Sequence, residues 1–129
     1  MNKLYYIFVS LLVAVAVTGC KEKADIDHPI AGHTYAHYTD TDYGYLISYA
    51  EFHVKGNFTM LYVTHNIYQG DESNRFSDML WSVEGNNITV KNDNSSTLES
   101  VRGKVVYTGY YNPEDNTVVL NDIVYKFSE

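Results

Sequence analysis

The sequence predicts an all-β domain: a small eight-stranded up-and-down antiparallel barrel, with a β-sandwich as the alternative. Three observations carry that prediction. No 3.6-residue apolar repeat runs for any length, short runs rich in Tyr, Val, Ile, Thr and Phe recur, and clusters of Gly, Asn and Asp separate them. Eight consecutive runs of this kind favour closure, because a closed sheet leaves no edge exposed.

In chain order the predicted strands are 33–38, 43–54, 58–68, 79–84, 88–92, 104–111, 117–121 and 123–128. Tight hairpins are expected at "KGNF", "EGNN" and "NPEDN", where Gly and Asn tolerate positive φ. Taking Gly56–Asn57 as a two-residue turn sets Phe52 opposite Leu61, Ala50 opposite Val63 and Leu46 opposite Ile67. That register makes one face continuously apolar, the condition that fixes register in a sheet. Tyr45, Ile47, Tyr49, Met60 and Tyr62 then share the other face.

The connections after strands one, three and five read "TDTD", "QGDESNRFSD" and "DNSSTLESVRG", all polar and two of them long. Alternate connections of a meander share an end, so these three form a mouth. The chain enters and leaves the barrel at the opposite end. Barrel mouths and long loops on rigid scaffolds are common ligand sites. Asp40, Asp42, Asp71, Glu72, Asp78, Asp93 and Glu99 fall at or near this mouth and favour cationic partners.

The 129 residues suffice for one domain, and the first of them read as an address. Lys3 precedes the apolar stretch Leu4–Val17, which is shorter than the roughly 20 residues of a membrane-spanning helix. A charged start, a short apolar centre and small residues at the end describe a secretory signal peptide. "VTGC" at Val17–Cys20 resembles the bacterial lipobox, whose Cys is lipidated and becomes the mature N-terminus. The resemblance implies a signal peptide over 1–19, two or three acyl chains of the palmitate type on Cys20, and a location in the cell envelope. Residues 20–31, charged and broken by Pro29, are expected as a flexible tether, with the barrel domain over 32–129. The Lys-plus-acidic start "KEKAD" resembles the export tag of surface lipoproteins in the Bacteroidetes, which points to the outer membrane, at its periplasmic face or at the cell surface.

"AGHTYAHY", "GNFTM", "WSVEGNNITV" and "LNDIVYKF" together look similar to the lipocalin-like lipoproteins of the Bacteroidetes, over roughly residues 31–129. Gly32–Tyr35 reads G-x-x-Y where lipocalins proper carry G-x-W. The resemblance implies a barrel that holds a small ligand at its mouth.

Composition and motifs narrow the function. A net charge of −7, with no basic patch, argues against nucleic-acid binding. Cys20 is the only cysteine, so the mature fold has no disulfide, and with that thiol lipidated thiol catalysis is excluded. No nucleophile elbow, P-loop, dinucleotide fingerprint or HExxH is present, so no enzymatic activity and no cofactor are expected. "DTDYGYLISYAE" mimics part of a calcium loop, yet it has Gly44 and Tyr45 where an EF-hand needs Asp or Asn and then Gly. His33 and His37 lie about 13 Å apart along one strand at ~3.3 Å per residue, too far to share a metal. His53 and His65 fall on opposite faces in the two-residue-turn register, so no metal site is expected. Tyrosine is abundant, 13 in all, and supplies contact area with a polar tip. Tyr107, Tyr110 and Tyr111 on one strand must occupy both of its faces. The sequence therefore reads as a non-catalytic, lipid-anchored binding module for a small amphipathic or apolar ligand, with Tyr45, Tyr49, Tyr62 and Trp81 as candidate contacts. The alternative is a protein-interaction module, either an accessory subunit of a surface complex or an inhibitor of a basic enzyme. Lipid-anchored lysozyme inhibitors are also small barrels, though they carry a disulfide that this chain lacks.

Overall fold

A computed structural model describes residues 24–95 and 98–129; Cys20 and the rest of 1–23 lie outside the described residues. Eight antiparallel strands follow one another in order: β1 His33–Thr41, β2 Gly44–Phe52, β3 Asn57–Asn66, β4 Gly70–Glu84, β5 Asn87–Asn92, β6 Val105–Asn112, β7 Thr117–Leu120 and β8 Ile123–Phe127. They close into one barrel in sequence order, the lipocalin-like arrangement, and the sandwich alternative is set aside. Closure joins β1 to β8 at Tyr35–Phe127 and Ala36–Lys126. Beyond them the Thr34 N–H donates to the Glu129 carbonyl oxygen, and the Ser128 N–H to that of Thr34, both at 2.9 Å.

The β2–β3 register differs from the expected one by three residues. Phe52 pairs with Phe58, Ala50 with Met60 and Leu46 with Thr64. A wider turn, His53–Gly56, causes the shift: the His53 N–H donates to the Asn57 carbonyl oxygen at 2.9 Å, and the Gly56 N–H to that of His53 at 3.0 Å. Trp81 holds this turn from inside, donating its backbone N–H to the Gly56 carbonyl oxygen and its indole N–H to that of His53, both at 2.9 Å. An odd shift exchanges the faces of one strand relative to the other. Met60 and Tyr62 therefore point inward with Ala50 and Phe52, while Leu61 and Val63 share the outer wall with Tyr45 and Tyr49. His65 pairs with Tyr45 on that wall, far along the hairpin from His53, so the two histidines stay apart for a different reason than expected.

A second difference is larger. "QGDESNRFSD", expected as a loop, is mostly strand: β3 ends at Asn66, and β4 begins at Gly70 after a three-residue turn. The Asn66 side chain accepts from the backbone N–H groups of Tyr68 and Gln69 there. Polar residues of poor β propensity extend here because β3 supplies a ladder from Gly70 to Leu80. Their outer side has no such support, since β5 pairs only with Met79–Glu84.

The core fills the end where the chain enters. Phe52 meets Tyr35, Phe58 and Trp81 edge-on, with ring centroids 6.0, 5.2 and 5.3 Å apart. Ile30, fully buried, plugs this end from below. It belongs to the span expected as a tether, so the folded unit begins before residue 32. Ile26 is bound as well, its N–H donating to the Val54 carbonyl oxygen at 2.8 Å, and Asp25 pairs with Lys55 at 2.6 Å. At Gly109 a Cβ would lie 1.6 Å from the Val119 carbonyl oxygen, so only glycine lets β6 and β7 approach this closely.

Candidate functional site

Above the core, the barrel interior changes character. β5 to β8 are short, and β4 runs on past the point where β5 stops. A slot of about 460 Å³ opens there, bounded by Tyr62 of β3, Arg75–Met79 of β4, Asn92 of β5, and Val106 and Tyr107 of β6. Phe76 faces Tyr62 across it, ring centroids 5.8 Å apart, and Phe58 supports Tyr107 from below at 5.8 Å. The Asn92 side chain donates to the Val101 carbonyl oxygen at 3.0 Å, tying the 93–104 connection to the rim.

Two hydroxyls meet in this slot: Tyr62 Oη and Tyr107 Oη lie 3.3 Å apart. Burial, reinforced by that hydrogen bond, holds the Tyr107 hydroxyl far above the ordinary tyrosine range. Tyr125, buried in the neighbouring wall, is pushed up to about 12, chiefly by desolvation and then by Tyr62. The Tyr62–Tyr107 hydrogen bond uses one of the two hydroxyl hydrogens, which leaves the other to donate to a guest. Apolar surface from Phe76, Met79, Val106 and the rings of Tyr62 and Tyr107, beside polar Arg75, Ser77, Asp78 and Asn92, suits an amphipathic ligand bearing a hydrogen-bond acceptor.

No known protein family, curated protein or solved structure matches this chain. The site is therefore read from its own residues.

The expected contacts separate. Tyr62 lines the slot. Tyr45 stands on the outer wall, stacked on Tyr38 and His65 with centroids 5.5 and 5.0 Å apart. Tyr49 is also on that wall, beside Ile47 and Val124 in a shallow groove. Trp81 is buried at the opposite end as the brace of the β2–β3 turn. Of the three tyrosines on β6, Tyr107 and Tyr111 point inward and Tyr110 outward, as strand alternation requires. Phe76, Met79 and Val106 escaped the sequence reading; alternation from Met79 and Trp81 would have turned Phe76 outward, and it is the register shift between Phe58 and Met60 that pairs Phe76 with inward Met60. Asp40, Asp42, Asp71 and Glu72 fall at or beside the β1–β2 and β3–β4 tips, and Glu99 lies on the β5–β6 connection. Asp78 and Asp93, expected with them, instead line a cavity with Phe52, His53, Lys55 and Asn57 near the end where the chain enters, because β5 stops at Asn92 far short of the β4 tip.

The five histidines are dispersed, each with its own partner. Nδ1 of His33 and of His37 meets the carbonyl oxygens of Glu129 and Val124, and His53 Nε2 lies 3.1 Å from Thr59 Oγ1. His65 pairs with Asp71, and His28 with Asn86. Among the described residues no group of three or more His, Cys, Asp or Glu side chains is placed to hold a metal ion.

Proposed function

We propose that this chain is a lipid-anchored cell-envelope protein whose barrel holds a small amphipathic ligand in the Tyr62–Tyr107 slot. One observation carries the ligand reading: apolar side chains fill the barrel at one end only, leaving at the other an aromatic space with a spare hydroxyl donor. The lipobox at Cys20 supports the anchor, and residue 24 lies at the filled end, so a tether from Cys20 would aim the slot away from the membrane. The test uses the purified domain and the fluorescent amphiphile anilinonaphthalene sulfonate. The expected result is saturable binding that Val106→Trp weakens about tenfold by filling the slot. Binding that Val106→Trp leaves unchanged would overturn the reading. For the anchor, Cys20→Ala is expected to release the protein from the membrane fraction and abolish incorporation of labelled palmitate.

A second reading, a protein-interaction module, is favoured by the hairpin tips at the open end. Tyr43 and Tyr68 meet edge-on at 5.3 Å there, beside exposed Ile67 and the carboxylates of Asp42 and Asp71. An accessory subunit or an inhibitor of a basic enzyme would present such a tip. Cross-linking at Tyr68 in intact cells is the measurement that tests it.

A further inference from the structure

We infer that the free edge of β4 is a strand-addition site for an extended, cationic segment of a protein partner. β4 is hydrogen-bonded to β3 along Gly70–Leu80, whereas β5 reaches only Met79. Among the described residues, the last backbone hydrogen bond on that side is from the Asp93 N–H to the Asp78 carbonyl oxygen at 2.9 Å. Every residue from Gly70 to Ser77 is exposed, including Phe76 at 55 %. Among the described residues, an eight-residue stretch of β4 thus carries backbone donors and acceptors with no strand beside them, about 26 Å of edge at ~3.3 Å per residue. Strand addition to such an edge draws affinity from main-chain bonds and specificity from pockets for alternate side chains.

The pocket is in place. An incoming strand would continue the line that β5 abandons, directly over the slot between Phe76 and Tyr107. Its inward-facing side chains at the level of Phe76 would enter that slot, so one aromatic or large aliphatic residue is expected there. Charge selects the rest of the segment. The one basic side chain on the edge, Arg75, is engaged by Glu51 at 3.3 Å, and Asp71 by His65. Glu72 and Asp78 are exposed carboxylates along the edge, with Asp42 beyond it at the tip. Like charge of this kind also discourages the edge from pairing with a second copy of itself. This inference rests on the edge and not on amphiphile binding: each can fail while the other stands.

The experiment uses the intact barrel domain and a nine-residue synthetic peptide of alternating Lys and Thr with one central Phe, followed by amide hydrogen exchange and titration. The expected result is slowed exchange confined to residues 70–77 and saturable binding. N-methylation of alternate peptide amides on one edge is expected to weaken binding about tenfold and on the other edge to leave it unchanged, because only one edge faces β4. Replacing the Phe by Ala, or every Lys by Glu, should each weaken it at least about tenfold, and Glu72→Lys about threefold. Equal binding by both N-methylated peptides would overturn the proposal, as would protection elsewhere, an indifferent Lys-to-Glu peptide, or β4 edges that pair with each other in sedimentation. Because the N-methyl comparison leaves the protein untouched, a misfolded variant cannot imitate the result.

Discussion

The two ends of this barrel are built to opposite rules. At the end where the chain enters, every inward position is filled: Ile30 closes the base, four aromatic rings interlock, and Trp81 holds the β2–β3 turn with two hydrogen bonds. At the other end β4 outruns its neighbour, Phe76 is half exposed, and two tyrosine hydroxyls face each other across a space. Strand length is the lever. β1 to β4 span 9, 9, 10 and 15 residues, and β5 to β8 only 6, 8, 4 and 5. The barrel is therefore complete only at the level of its short strands, and what lies above is open. Close packing occupies one level of the sheet and open space the other.

That contrast can be broken at several points. The largest effect is expected from Gly109→Ala, whose methyl would meet the Val119 carbonyl oxygen at 1.6 Å; the β6–β7 ladder should fail and the dispersed methyl signals of the folded state should vanish from the proton spectrum. Next comes Ile30→Ala, expected to cost about 2–5 kcal/mol by leaving a cavity in the base. A urea midpoint unmoved by that change would return residues 24–31 to the role of a loose tether. High pH probes the buried hydroxyls. Tyr35, desolvated in the base, and Tyr125 are each pushed up to about 12 from the ordinary 10.0. The unfolded chain releases these protons first, so the stability they lend is full below about 10 and is lost as pH rises through about 12. Alkaline titration followed by tyrosinate absorbance should show a late-titrating class that merges with the rest on denaturation. The smallest effect is reserved for the open end: Phe76→Ala should shift stability by no more than about 0.5 kcal/mol. Were it to cost as much as Ile30→Ala, the open end would be core after all.

Much of this architecture was legible in the chain. Alternation and turn residues mark all eight strands, and strand parity alone places the carboxylates of Asp40 and Asp42 at the end away from residue 24. Two features were not legible, for related reasons. The β2–β3 register depends on Trp81, 25 residues beyond Gly56, which stabilises a wide turn that the local "GN" signal does not announce. The strand character of 70–78 depends on β3 as a template and opposes local propensity. Both errors concern pairing rather than composition, and both fall on the site. The register turned Tyr62 inward and left Tyr45 and Tyr49 outside, while the unsuspected strand brought Phe76 to the slot. Trp81 was read as a contact; here it is buried and its indole N–H is taken by the His53 carbonyl oxygen.

The seam between β1 and β8 has a kinetic consequence. Tyr35 and Phe127 are neighbours in the sheet yet stand at opposite ends of the folded chain, so closure is the most distant contact the polypeptide makes. Such contacts slow folding, because a long loop must be ordered before they form. A growing chain that lacks residue 127 can assemble hairpins but cannot shut the barrel. Until then β1 and β7 each carry a naked margin. During synthesis the sheet thus stays open until its last residues are in place, and closure comes at the end.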